Sequence, residues 1–272
     1  MLSRQFWTIL ISSLLFAFVS NAQCVEFEGL TNIGNLPLSV NALTNSSFEN
    51  SPLGQRSQGG FTQDNAWNYF GGGNIFVDPS NEPNAFPCGA VFGNPIEART
   101  GNRQLKMFGQ FPGDASTNVS GGFTDFVSVA GGQNYVGGIY ALSPTAADCA
   151  DDNLKGDNEV VVSLEFVDAA GNCMNVISGR FGAADATGQW IRYEAYAQAP
   201  PSAVQARINV LFIQQANAGG AVYLDDAFLH QVQTPTAPTM GEWGIMILGL
   251  LILIIGIVAI KQTSFSLTKT AA

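Results

Sequence analysis

Most of the chain reads as short runs of Val, Ile, Phe and Tyr broken by clusters of Gly, Asn, Asp and Pro. In Val160-Val161-Val162-Ser163-Leu164-Glu165-Phe166-Val167 the second half alternates apolar with polar, the two-residue period of a strand, and Asp168-Ala169-Ala170-Gly171-Asn172 follows as a turn. Similar runs predict strands over 123–129, 135–142, 190–197, 206–213 and 221–229. No Ala/Leu/Glu-rich helical stretch lies between them. The pattern predicts an all-β fold, an antiparallel sandwich, rather than a parallel α/β sheet.

Two further runs show no alternation, and both are expected to be helical. Arg4 precedes the apolar run Phe6 to Val19, and Ser20-Asn21-Ala22 offers small residues to a signal peptidase, so 1–22 reads as a cleaved signal helix. Cutting after Ala22 leaves Gln23 before Cys24, and Gln23 is too large for a lipoprotein signal. The second run, Ile245 to Ile260, is uncharged and rich in Ile, Leu and Val. A helix from Trp243 to Ile260 rises about 27 Å, close to the ~30 Å hydrocarbon core of a bilayer, and predicts a transmembrane helix. Lys261 and Lys269 behind it place the tail 263–272 in the cytoplasm and the body outside.

Around that run, Pro238, Thr239, Glu242, Trp243 and Gly244, an apolar helix and a short basic tail resemble the IPTL-CTERM class of bacterial sorting domains. Ala237 and Met240 depart from the commonest Ile and Leu of that signature. The resemblance covers 237–262 and implies a membrane sorting or processing enzyme of the exosortase kind as a partner. A plain carboxy-terminal anchor is the alternative. Either way the expected location is the cell envelope, or the surface matrix after processing of the tail.

Between the termini lies one domain, 23–232, followed by a Pro/Thr linker over 233–239. Of the chain's 21 Asp and Glu and 11 Lys and Arg, all but Glu242, Arg4, Lys261 and Lys269 lie in this domain. Such an acidic body opposes binding to nucleic acid. Four cysteines, Cys24, Cys88, Cys149 and Cys173, suit an oxidising compartment and two bridges. Of the three connectivities, Cys149 with Cys173 is preferred, because each lies beside a turn flanking the 160–167 strand. The spacing lacks the clustered pairs of a zinc site.

The order of features over 41–232 is similar to carbohydrate-binding modules of the galactose-binding-like jelly-roll type. The residues that carry it are Asn45-Ser46-Ser47-Phe48-Glu49, Gly121-Gly122-Phe123-Thr124-Asp125-Phe126-Val127-Ser128-Val129, Leu164-Glu165-Phe166-Val167-Asp168, Trp190-Ile191-Arg192-Tyr193, Ala199-Pro200-Pro201-Ser202-Ala203 and Val222-Tyr223-Leu224-Asp225-Asp226-Ala227-Phe228-Leu229. The Gly/Asn/Pro-rich region from Gly71 to Gly101 and the acidic stretch from Asp148 to Glu159 depart from it and read as loops. The resemblance implies a jelly roll, a polysaccharide or envelope glycan as partner, and a structural calcium between Glu49 and the final Asp-bearing strand. Adjacent strand residues face opposite ways, so one of Asp225 and Asp226 turns inward, and calcium supplies its counter-charge. The alternative is that Glu49 and Asp225 bond backbone amides. An EF-hand fails at 151–162, where Val162 fills the twelfth position.

Sugar binding needs aromatic faces with polar groups beside them, and Trp67, Tyr69 and Tyr140 are the candidates, Trp67 and Tyr69 sharing a face of an extended segment beside Gly71-Gly72-Gly73. The alternative for Trp67 is the core, and Trp190 is expected to anchor it. His230 is the single histidine, and no G-x-S-x-G motif or acidic pair in an identifiable apolar setting is visible. The sequence therefore predicts a non-catalytic glycan-binding surface protein. The competing class is a structural or adhesive envelope protein with no sugar site, and a glycan-active enzyme is a further alternative, because a glycosidase needs only two carboxylates.

Overall fold

The computed structural model describes residues 26–28, 37–58, 61–71, 74–79, 96–108, 119–156, 158–214, 218–233, 244–255 and 257. The signal segment 1–22, Cys24, Cys88 and the sorting residues Pro238, Thr239, Glu242 and Trp243 lie outside them. By backbone proximity the chain divides into two units, Met1–Gln233 and Thr234–Ala272.

In the first unit the described strands form two sheets. One runs in the order β1 (Glu26–Glu28), β11 (Cys173–Gly182), β10 (Glu159–Val167), β13 (Gln205–Ile213), β7 (Val119–Thr124), β4 (Trp67–Gly71), β3 (Thr62–Asp64), with β8 (Val127–Ser128) also on β13. The other runs β12 (Ile191–Gln198), β9 (Asn134–Leu142), β14 (Ala221–Gln231), β6 (Arg103–Phe108), β5 (Asn74–Pro79), β2 (Gly54–Gln58). The β1–β11 pair is parallel and the other pairs in both sheets are antiparallel. From β9 onward the chain crosses between the sheets at every step except β10 to β11, which pair beside each other in the first sheet.

The alternation set the faces. Val160, Val162, Leu164 and Phe166 of β10 point inward to meet Ile139 of β9 and Leu224 and Leu229 of β14 in one continuous core. Each such side chain contributes about 1.5–3 kcal/mol by leaving water. On the other face of β10, Glu165 sits opposite Arg207 of β13 and accepts from its Nε and Nη2 at 2.8 and 3.0 Å, a bidentate pair.

Five of the six predicted strands appear within a residue or two of their expected bounds. The sixth, 123–129, is broken: β7 ends at Thr124, and the Asp125 N–H turns away to donate to Ala66 O at 2.9 Å. Two regions read as loops are more ordered than expected. Residues 74–79 inside the Gly-rich region pair with β6, and the acidic stretch buries Cys149, Asp152, Leu154 and Asn158.

The disulfide expectation is corrected. Cys149 and Cys173 are each disulfide-bonded, and no described cysteine is free. Cys173 pairs with Val167 at one end of β10, whereas Cys149 belongs to the segment that enters β10 at Glu159. Nine strand residues rise roughly 27 Å, far beyond the Cα separation of a disulfide. Cys149 and Cys173 are therefore not partners of each other.

In the second unit a helical stretch is described over 244–255 and at 257, and its large apolar side chains from Ile245 to Ile255 are exposed. Among the described residues no helix is long and apolar enough to cross a membrane. The remainder of the expected span, to Ile260, lies outside them.

Candidate functional site

The outer face of the second sheet carries the site. Register sets Arg192 of β12 directly opposite Tyr140 of β9, and Phe228 and His230 of β14 opposite Gly138 and Val136. The two-residue period then turns Tyr140, Arg192, Glu194, Tyr196, Phe228 and His230 to one side. Their inward neighbours Ile139, Ala195 and Leu229 lie in the core. The β14–β9 register shifts between Asp225 and Phe228, and Asp226 takes a φ of 49°. This bulge lifts the Asp226 carboxylate to the rim.

A chain segment walls the other side. Leu38 bridges to Val232, the Ser39 N–H donates to Gln231 O at 2.9 Å, and Asn41 clamps the bulge. Asn41 Nδ2 donates to Ala227 O at 2.9 Å while its Oδ1 accepts the Leu229 N–H at 3.0 Å. His230 Nδ1 lies 2.9 Å from Ser39 O. A carbonyl only accepts, so Nδ1 carries a proton at this contact.

The result is an open pocket of about 220 Å³ bounded by Leu38, Tyr140, Arg192, Asp226, Phe228 and His230. Planar groups dominate it. The Arg99 guanidinium lies 3.5 Å over the Tyr140 ring and that of Arg192 4.3 Å over Phe228. Phe228 and His230 stack at 5.7 Å. Arg99 also pairs with Asp226, which accepts from Thr100 Oγ1 at 2.6 Å, and Arg192 pairs with Glu194 at 2.8 Å. Aromatic faces with hydrogen-bonding edges beside them suit a hydroxyl-rich ligand.

Of the expected ligand-binding residues, Tyr140 alone belongs to this face. Trp67 and Tyr69 are corrected: both are wholly buried in the core, stacked on each other at 6.4 Å, with Trp67 against Phe48 at 4.7 Å. The Trp67 Nε1–H donates to Asn45 O at 3.2 Å, which removes the cost of burying it. Trp190 is also not part of the main core. It packs beside Leu142, Ala221 and Tyr223 on the outer face and donates to Glu97 O at 3.3 Å.

The expected calcium ligands converge in part. Asp225 is fully buried and Asp226 is not, as the strand period requires. Glu49 Oε1 accepts the N–H of Asn102 and Arg103, both at 2.8 Å, and Asp225 accepts those of Thr100 at 3.1 Å and Asp226 at 2.7 Å. Backbone amides thus meet Glu49 and Asp225, the alternative that the sequence left open. Burial nonetheless pushes the Asp225 carboxyl up to about 7, a cost that a cation would relieve. Among the described residues no three His, Cys, Asp or Glu side chains cluster to hold a metal.

Arg99, Arg192, Phe228 and His230 escaped the sequence reading. Their signal was phase: Arg192 and Phe228 fall on the outward register of strands already recognised, but which sheet face lies open is not written in the alternation.

No protein-family model matches the chain, and no curated protein matches it. Solved structures are similar to it at low identity. The arabinose-bound α-L-arabinofuranosidase shares 15% identity at a TM-score of 0.45, over 79% of this chain and 30% of that one. The enzymatically active domain of bacteriophage CBA120 tailspike protein 4 gives 14% and 0.41, over 71% and 22%. The C-terminal family 22 carbohydrate-binding module of Clostridium thermocellum Xyn10B gives 15% and 0.37, over 72% and 98%. The chain thus spans less than a third of the first two. All three scores lie below 0.5, and the two-sheet architecture rests on its own strand order.

Proposed function

We propose that the sandwich binds a polysaccharide, without turning it over, on the outer face of the second sheet around Tyr140, Arg192, Phe228 and His230. The observation that supports this reading is the convergence of aromatic rings and planar polar groups on an open face, while Trp67 and Tyr69 are spent on the core. The ordered motifs over 41–232 point the same way. Export through 1–22 and anchoring or sorting through 237–262 belong to the same proposal, and deliver the domain to the envelope. Retention on a glycan array tests it. Wild-type protein is expected to be retained by at least one polysaccharide and Tyr140→Ala to lose that retention with its melting temperature unchanged; no retention on any glycan overturns the reading.

A second reading has an observation of its own. Arg99 covers the exposed face of Tyr140, and its charge is met by Asp226, as in a surface sealed for packing. A structural envelope protein follows from that, and predicts that Arg99→Ala lowers stability without creating or strengthening glycan retention. Under the sugar-binding reading Arg99→Ala changes affinity. Cell fractionation, with and without the sorting enzyme, and the mass of the mature carboxy-terminus test the export half. The calcium predicts a lower melting temperature in chelator; an unchanged melt removes it.

A further inference from the structure

The other end of the same sheet face is closed. Lys106 on β6 stands in register with Tyr223 on β14, and Asp78 comes from the adjacent β5, all three on the outer side of the sheet. The segment from 143 to 158 folds down over them and delivers Asp152. It is pinned there: the Ala221 N–H donates to Asp152 O at 2.9 Å, the Leu154 N–H to Ser143 Oγ at 2.9 Å, and Asn158 Nδ2 to Gly219 O at 2.6 Å. Gly220 permits the approach, because a Cβ there would lie 2.5 Å from Asn153 O.

Four polar side chains meet in this closed space. Lys106 Nζ is 2.7 Å from Asp152 Oδ2, and the Tyr223 hydroxyl donates to the same oxygen at 2.6 Å. Lys106, Asp152, Tyr223 and Asp78 are 4%, 1%, 2% and 2% exposed. Asp78 Oδ1 has no hydrogen-bond partner. In the β5–β6 register Asp78 stands diagonally across from Lys106 on the same face, and burial raises its carboxyl to about 6, with Lys106 opposing the shift and Asp152 adding to it. Two ions sealed from water carry a desolvation cost that a neutral amine and a neutral acid do not.

We propose that Lys106 and Asp152 condense into an intramolecular amide cross-link, with Asp78 carrying the proton and Tyr223 stabilising the oxygen that stays. One proton moves from the Lys106 ammonium to the Asp152 carboxylate, giving amine and acid. Nζ attacks Asp152 Cγ and the C–N bond forms. Negative charge gathers on Oδ2, where the Tyr223 hydroxyl donates. Asp78 takes a proton from Nζ and delivers it to the Oδ1 hydroxyl; the Cγ–Oδ1 bond breaks and one water leaves. Nothing is oxidised or reduced. Groups held in contact behave as if present at roughly 10⁵–10⁸ M, and expulsion of the water and loss of the buried charges favour the amide further. The cross-link would tie the 143–158 segment to the sheet.

The sequence makes the test sharp, since Lys106 is the only Lys or Arg between Arg103 and Lys155. The full chain, purified folded with its disulfides intact, is denatured, reduced and digested with trypsin. With the cross-link, cleavage after Lys106 is blocked. Residues 104–155 are then recovered as one peptide, lighter by one water than its linear mass, with fragmentation joining Lys106 to Asp152. Asp152→Ala is expected to restore cleavage after Lys106. Asp78→Asn, which keeps the shape, is expected to fold to the wild-type circular dichroism spectrum and remain unlinked. Folded wild-type protein that is cut after Lys106 with no water lost, even after prolonged incubation, overturns the proposal. A cross-link that forms fully in Asp78→Asn overturns the role of Asp78.

Discussion

One face of one sheet serves two ends in this molecule. Where β12, β9 and β14 meet, Tyr140, Arg192 and His230 remain at least partly exposed, and the guanidinium groups of Arg192 and Arg99 are met at the rim by Glu194 and Asp226. Where β14, β6 and β5 meet, the same outward register carries Tyr223, Lys106 and Asp78, yet each is sealed beneath the 143–158 segment. The strands do not distinguish these ends. The cover does, and with it the dielectric: the same kind of Lys/Arg–carboxylate contact is solvated at one end and sealed from water at the other.

The largest expected effect breaks the closed end. Lys106→Met removes the partner of Asp152, and with it any amide between them, leaves that carboxyl buried alone and should cost about 3–5 kcal/mol, read as a fall in denaturation midpoint, while Arg192→Ala at the open end should cost less than about 1 kcal/mol. Equal effects would erase the contrast. Next comes pH. The raised carboxyls of Asp78, at about 6, and Asp225, at about 7, stay protonated in the folded chain after their unfolded counterparts ionise. Their contribution is therefore intact below about pH 4 and is lost as pH rises to about 7, a change of order a few kcal/mol. Melting curves across that range should show it, and Asp225→Asn should flatten part of the slope. Saturating calcium should flatten the same part if the ion sits at Glu49 and Asp225.

Tyr140→Ala sharpens the open end: stability should move by less than about 1 kcal/mol, while glycan retention falls several-fold in affinity electrophoresis. A loss of stability larger than the loss of retention would make Tyr140 a packing residue. The smallest change is covalent bookkeeping: non-reducing peptide mapping should yield no Cys149–Cys173 peptide, and finding one would contradict the placement of those residues at opposite ends of β10.

The second half of the sandwich was legible because its strands repeat apolar residues at the period of a pleated sheet, as in 160–167 and 206–213. β11 was missed since Cys173-Met174-Asn175-Val176-Ile177-Ser178-Gly179-Arg180 carries no clean alternation; it is held by ladders to β10 and β1 rather than by its own pattern. Trp67 and Tyr69 misled for a related reason. An aromatic pair beside a glycine cluster has the same local appearance on a displayed loop and on an inner strand, and only the pairing of β4 with β7 turned those rings inward. Asp225 and Asp226 were legible as one inward and one outward carboxylate, but their partners, Thr100 and Arg99, lie about 125 residues away and left no local trace.

Local chemistry written along the chain was enough for the strand-rich class, the acidic body, the apolar run near residue 250 and the pool of cysteines that pair, because each depends on neighbours in sequence. Which face of the second sheet lies open, which cysteines are too far apart to join, and which lysine is sealed against which carboxylate required the assembled sandwich. Those properties come from residues distant in sequence being forced into contact, and burial and electrostatic strength follow from what covers a side chain rather than from the side chain itself.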